Sequence, residues 1–290
     1  MNQYTVPPEF SRNIGLLSES DQHRLAGARV AVAGAGGVGG LHLLALARLG
    51  VGKFVIADAD VFEDVNINRQ FGACRSTFGR NKAVVLGEMV QDVNPEAETT
   101  VFESFIDASN VDNFLEGVDV FLDGIDFFEI EARRLVFRKC REKGIWALTA
   151  APLGFGATLQ VFSPTGMSFD DYFGISDSMG KLEMLAAFAA GLAPRPYHLK
   201  YLDLTRVNLA TGKGPAVSPA CTLATSLIAT DTVKILTGKG DVRPVPAYLQ
   251  IDMMRGKFKQ GWLPGGGRNP LQRLMARLIL GKARKSAQGG

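Results

Sequence analysis

The sequence predicts an α/β protein built on a Rossmann-like doubly wound sheet. The sheet is expected to be mainly parallel, with antiparallel strands in the C-terminal half plus a crossover segment. Three observations lead there. Short apolar runs alternate with helical stretches along most of the chain. A GxGxxG turn, Gly34-Ala35-Gly36-Gly37-Val38-Gly39, lies between the first such run and a helix. The chain has 33 glycines, and they fall at turns between apolar runs, as many short connections require.

Taken in order, residues 8–27 are polar with scattered apolar positions and read as an arm plus a short helix near Ser18–Ala26, with Ser18 as its cap. Arg29–Ala33 is a strand, Val38–Gly50 a helix ended by glycine, and Lys53–Ala57 a second strand. Arg80–Asn94 is a helix stopped by Pro95. Thr99–Phe105 and Val118–Leu122 are strands, and the second runs into Asp123-Gly124-Ile125-Asp126. Glu129–Lys143 is a helix ended by Gly144, followed by strands Trp146–Ala150 and Ala157–Phe162. Residues 163–217 are irregular, with one helix at Lys181–Leu192. Ser218-Pro219 opens a long helix to Leu236, because serine caps and proline tolerates the first turn. Tyr248–Ile251 is a late strand.

Composition narrows the class. The chain of 290 residues is 46% hydrophobic and 21% charged, which is ordinary for a globular protein with a full core. The net charge of +3 is too small to argue for nucleic acid on its own. Cys74, Cys140 and Cys221 are odd in number and widely separated, so no disulfide framework is expected. No CxxC pair offers a structural zinc site. The start, MNQYTVPPEF, lacks a basic segment followed by an apolar one, and no run of 18 apolar residues occurs. A cytoplasmic chain is expected, with no membrane-spanning helix and with a membrane the less favoured partner.

The glycine turn has clear physical demands. Gly34 permits the tight turn, Gly36 lets backbone approach a phosphate, and Gly39 lets helix and strand pack closely. The helix N-terminus adds unpaired N–H groups. Asp58 closes the second strand, where a carboxylate can hold ribose hydroxyls, and Asp60 projects on the same side. Alone the motif fits NAD, FAD or ATP. The cluster Asn66-Ile67-Asn68-Arg69-Gln70 and then Lys82 adds charge. Arg69 can fork onto phosphate oxygens and Lys82 can act as a point charge, together stabilising a pentavalent α-phosphate. The plainer reading is a solvated basic loop beside an acidic one.

These residues resemble the ThiF / MoeB / ubiquitin-activating-enzyme-like adenylyltransferase family. The GxGGxG turn, the acidic Asp58-Ala59-Asp60, the N-x-x-R-Q segment Asn66–Gln70 and the lysine Lys82 follow in the family's order and spacing. The resemblance covers about residues 8–260 and is weakest over 163–217. It implies that Gly34, Gly36, Gly37 and Gly39 cradle ATP and that Asp58 holds its ribose. It implies that Asn66, Arg69, Gln70 and Lys82 line the triphosphate. Asp126 would hold Mg²⁺. Arg12, in Ser11-Arg12-Asn13, would reach the ATP of the partner subunit in a homodimer; an exposed arm residue is the alternative. Phe127 replaces the family's usual Asn, and the following arginine, Arg133 or Arg134, comes about two residues late.

The implied organisation is an arm and helix over 1–27, an adenylation domain over 28–262, and a basic amphipathic tail over 263–290. Leu271, Leu274, Met275, Leu278 and Ile279 fall at helical spacing in that tail, among Arg268, Arg273, Arg277, Lys282, Arg284 and Lys285. Such a basic amphipathic helix could touch an anionic membrane, a tRNA or a partner domain; docking on the parent domain or a dimer mate is the expectation. The implied reaction activates a carboxylate with ATP and Mg²⁺. The acceptor would be the C-terminal glycine of a ubiquitin-like or sulfur-carrier protein, or else a carboxylate on tRNA, as in a tRNA-modifying dehydratase of the family. An NAD(P)-dependent oxidoreductase and an inactive nucleotide-binding scaffold are the readings from other classes. A catalytic cysteine is not required, since burial is the more frequent fate of Cys221 and Cys74. His23, His42 and His198 show no metal spacing.

Overall fold

The computed structural model describes residues 4–207 and 214–288. Helix α1 spans Glu19–Gly27, strand β1 Arg29–Ala33, α2 Gly39–Arg48, β2 Lys53–Ala57, α3 Lys82–Val93, β3 Glu98–Phe102, α4 Val111–Phe114 and β4 Val120–Asp123. Then come α5 Ile130–Glu142, β5 Trp146–Leu153, β6 Gly156–Phe162, α6 Phe169–Phe173, α7 Lys181–Leu192, α8 Ser218–Thr237, β7 Ala247–Asp252, β8 Lys257–Trp262 and α9 Pro270–Gln288. Two compact units divide the chain. The first holds residues up to Gly124 together with 225–242, and the second holds 125–224 with 243–290.

In the first unit the strands lie in the order β3-β2-β1-β4, every neighbour parallel. Ala31 faces Val55 on one side and Phe121 on the other. The runs VAVA, FVIA and VFLD are buried throughout, as continuous apolar strands must be when both faces are covered. Strand β3 is mostly exposed, and it is the edge. Ser18 starts α1 through a capping box: its hydroxyl accepts the Asp21 N–H and the Asp21 carboxylate accepts the Ser18 N–H. Asp21 also pairs with Lys239, so α1 is tied to the residue just past α8, and that pairing holds its carboxyl below the usual range. Asn81 caps α3 by accepting the Val84 N–H.

The second unit carries an antiparallel series, β5-β6-β7-β8. An aromatic cluster of Phe162, Phe169, Tyr172, Phe173 and Phe188 packs α6 and α7 on β6, with Phe169 and Phe173 rings 4.6 Å apart. Two elements here escape the sequence reading. Helix α6 is only five residues. Strand β8 is exposed at every position but Gly261, and an edge strand with two solvated faces keeps little apolar alternation. Gly261 is buried because the Tyr248 ring lies where its Cβ would stand, 2.2 Å away. Elsewhere the expected elements appear, with ends displaced by a few residues. The largest shifts are three residues: the third strand ends at Phe102 rather than Phe105, and β5 runs on to Leu153 rather than stopping at Ala150.

His42 on α2 is fully buried and its Nδ1 lies 2.9 Å from Thr225 Oγ1 on α8. Burial holds its pKa down, from 6.5 to about 3. An unfolded histidine takes up a proton near 6.5, which the folded one resists until about 3. Neutral His42 therefore contributes stability fully present above about pH 6.5 and lost as pH falls toward 3. His42→Asn keeps a group able to bond Thr225 without titrating. It is expected to flatten the dependence of the urea midpoint on pH across that window; an unchanged slope would show that His42 does not carry it.

Candidate functional site

The glycine turn follows β1, and each glycine in it has a distinct reason. Gly34 adopts φ +85°, open to glycine, and its N–H donates to the Ala57 carbonyl at 2.8 Å. A Cβ on Gly39 would come 1.8 Å from the Gly34 carbonyl oxygen, so no other residue fits. A Cβ on Gly124, just past β4, would come 2.2 Å from the same oxygen, a constraint not visible in the sequence. Gly36 is different. A Cβ there would meet only the Gln70 side-chain amide, at 3.5 Å. The fold therefore does not need glycine at 36, and the space above it is left for something else. Helix α2 begins at Val38 with no side-chain cap and no acid in its first turn. No side chain takes up its N-terminal partial positive charge, although the Gly40 N–H donates to the Gly36 carbonyl at 3.3 Å.

From this turn runs a continuous series of hydrogen bonds. The Asp58 carboxylate accepts the Ala35 N–H at 2.6 Å through one oxygen and the Asp60 N–H at 2.8 Å through the other. Asp58 is buried, and burial raises its pKa while these two N–H bonds oppose the rise. The Asp60 carboxylate accepts from Lys82 Nζ at 3.0 Å. Lys82 is buried to 8% side-chain exposure whereas Asp60 is 56% exposed, so the pair presents its acid outward. Asn81 clamps the base of this series by donating to the Asp58 carbonyl at 3.0 Å. Asp60 and Lys82 also share a backbone bond, Lys82 N–H to the Asp60 carbonyl at 2.9 Å.

The Asn66–Gln70 segment is a tight turn. Asn66 is buried, accepts the Glu63 N–H through Oδ1, and receives the Arg69 and Gln70 N–H groups on its carbonyl. That makes Asn66 the organiser of the loop. Arg69 is exposed, with Nη1 donating to the Val65 carbonyl at 3.1 Å and to Asn68 Oδ1 at 2.9 Å. Gln70 is buried against Gly36, and its Oε1 has no hydrogen-bond partner. A buried acceptor without a partner is costly and marks a place where a ligand fits. Around Arg69, Val65, Ile67 and Phe71 are more than half exposed. Arg12 lies on an exposed turn of the arm.

Asp126 belongs to the second unit. It is exposed, and Oδ1 accepts the Phe128 N–H at 2.9 Å. Its loop is held from below by Arg133, which donates to the carbonyls of Ile125 and Asp126 and lies 4.6 Å over the Phe188 ring. Arg134 turns the other way, to Asp170 and Asp177. Of the two late arginines, Arg133 grips backbone and Arg134 pairs with acids. Among the described residues no group of three His, Cys, Asp or Glu could hold a metal alone. Cys221 is 1% exposed and Cys140 is buried, which removes both as surface nucleophiles; Cys74 is exposed.

A family described as the "ThiF family" matches residues 10–264. The chain is 35% identical over 108 residues to the tRNA threonylcarbamoyladenosine dehydratase of Bacillus subtilis, covering 37% of this chain and 42% of that protein. It is 35% identical over 159 residues to the SAMP-activating enzyme E1 of Haloferax volcanii, covering 54% and 58%. These matches span about half the length of those relatives. The crystal structure of E. coli MccB with ATP superposes with a TM-score of 0.66 at 20% identity, over 93% of this chain and 74% of that one, a likeness of fold. No helix among the described residues is long and apolar enough to cross a membrane.

Three substitutions test this geometry. Gly39→Ala must displace backbone and is expected to cost more than about 3 kcal/mol or prevent folding, whereas Gly36→Ala keeps the urea midpoint near wild type. Asp58→Asn replaces an acceptor by an amide donor facing an N–H, and is expected to cost about 1–3 kcal/mol. Equal loss at positions 36 and 39 would contradict the assignment of the two glycines.

Proposed function

The chain belongs to the ThiF family of adenylyltransferase-like and E1-like proteins, and on that premise we propose that it binds ATP·Mg²⁺ and adenylates a carboxylate, releasing pyrophosphate. The observation that carries this reading is the series from the Ala35 N–H through Asp58 and Asp60 to Lys82, beside the open space over Gly36. A redox dinucleotide would use the turn and an acid. It would leave the buried Lys82 and the exposed Arg69 without a task.

In this reading the N–H groups at Gly36 and Gly37 meet phosphate oxygens, and the Gln70 Nε2 amide, which lies beside Gly36, donates to the same oxygens. Asp60, being exposed, takes the ribose hydroxyls. Asp58 has both oxygens engaged with backbone and holds Asp60 in place. Arg69 and Lys82 neutralise the charge that grows as the acceptor's carboxylate oxygen forms its bond to the α-phosphorus. The α–β bridging bond then breaks and its electron pair leaves with pyrophosphate. The attacking carboxylate is already ionised, so no side-chain base is needed. Mg²⁺ is commonly held by one or two carboxylates plus phosphates, which suits Asp126 as a single protein ligand. The metal would supply charge neutralisation on the phosphates.

We assign the acceptor as the C-terminal glycine of a ubiquitin-like or sulfur-carrier protein, the kind of activation named for the Haloferax relative. The name of the Bacillus relative supports a second reading, a carboxylate on tRNA. The exposed Val65, Ile67 and Phe71 around Arg69 suit a homodimer in which Arg12 reaches the partner's nucleotide. We place the reaction in the cytoplasm.

ATP–pyrophosphate exchange, run across candidate carriers and tRNA, tests the proposal. Exchange with one acceptor class identifies it. Lys82→Ala is expected to lower the exchange rate by about 100-fold or more. Absence of ATP binding together with no exchange on any acceptor overturns the proposal, and hydride transfer from NADH would replace it with the oxidoreductase.

A further inference from the structure

Helix α9 uses only one of its faces. It packs against α7, where Gln272 and Ala276 share a cavity wall with Ala187, Ala190 and Gly191. Arg284 reaches Glu183 of α7 at 2.9 Å and Arg268 reaches Asp171 of α6 at 3.4 Å. The expectation that the tail docks on its parent therefore holds for this face. The other face is different. Leu271, Leu274 and Leu278 lie at i, i+3 and i+7 and are 71%, 53% and 59% exposed. They form a leucine stripe turned away from the element that already packs the helix.

Arg277 flanks the stripe on one side, with Arg273 farther round toward the packed face, where both also line the cavity shared with α7; Lys282 lies beside the stripe on the other side. From Arg268 to Lys285 the sequence carries six Arg and Lys, no Asp or Glu, and no aromatic residue. This combination selects among occupants. A second copy meeting the stripe about a two-fold axis would bring like charges together. The phosphates of a nucleic acid would match the cations but would leave the leucine stripe in water. An anionic, planar and apolar-beneath surface satisfies both the leucines and the cations.

We propose that α9 lies in the plane of an anionic lipid bilayer, with Leu271, Leu274 and Leu278 inserted below the headgroups and Arg273, Arg277 and Lys282 among the lipid phosphates. The helix is about 28 Å long, so it rests on the surface rather than crossing it. One helix of this kind gives reversible attachment. The attachment does not depend on the nucleotide chemistry, since every residue in it lies outside that site.

The test is co-sedimentation of the full chain with vesicles of phosphatidylglycerol mixed into phosphatidylcholine, against phosphatidylcholine alone. Binding is expected to the anionic vesicles and to fall about tenfold or more in their neutral counterparts or when salt rises from about 0.1 M to about 0.5 M. The variant Leu271→Gln/Leu274→Gln/Leu278→Gln is expected to lose binding by about 100-fold or more with an unchanged thermal melt, because these side chains face solvent. No binding to anionic vesicles overturns the proposal, as does undiminished binding by the triple variant. A fall in oligomeric size caused by the triple variant, without vesicle binding by the parent chain, assigns the stripe to a second copy instead.

Discussion

One buried carboxylate organises the candidate nucleotide region. Asp58 is taken out of water at the end of β2, and it is tolerable there only because two backbone N–H groups meet its two oxygens. Those bonds fix the first residue after Gly34 and the first residue of the acidic loop relative to each other. Everything beyond them inherits that placement: the exposed Asp60, the lysine it holds, and the N-terminus of α3 that Asn81 caps against the Asp58 carbonyl. The close backbone contacts at Gly39 and Gly124 do the same work from the other side of the turn, by sterics instead of hydrogen bonds.

Much of this was legible in the residues. The buried parallel strands β1, β2 and β4 show as unbroken apolar runs because water touches neither face, and the cap at Ser18 is local chemistry. The glycine roles followed from sterics, and Gly39 obeys them closely. What sequence could not divide was labour between neighbours of one type. Asp58 and Asp60 lie two apart and share a side, yet one is buried as a tether and the other is exposed. Asn66, read as a phosphate ligand by resemblance, has its Oδ1 and carbonyl spent on the loop itself. Burial decides such matters, and burial is a tertiary property.

The same holds in the second unit. Arg133 and Arg134 are adjacent, and helical geometry sends them in different directions: one to the carbonyls beneath Asp126, the other to Asp170 and Asp177. The departure from the family's arginine spacing thus has a local solution, a guanidinium that shapes a loop through backbone oxygens and an aromatic face. Strand β8 was invisible for the opposite reason. It buries almost nothing, so it leaves no apolar signature to read.

The pairing of Lys82 with Asp60 has a kinetic side. Before any ligand arrives, the ammonium is already matched by a carboxylate 3.0 Å away, so the local field is that of a dipole, which decays with distance faster than the field of a lone charge. A polyanion drifting nearby is drawn little by this lysine, and its capture relies on short-range fit. On arrival the anion must compete with Asp60 for the same N–H donors. In the reaction proposed above, that competition would weaken the hold on every phosphate-bearing species, the departing one included. A resident counter-ion of this kind trades tightness of grip for ease of clearing the site.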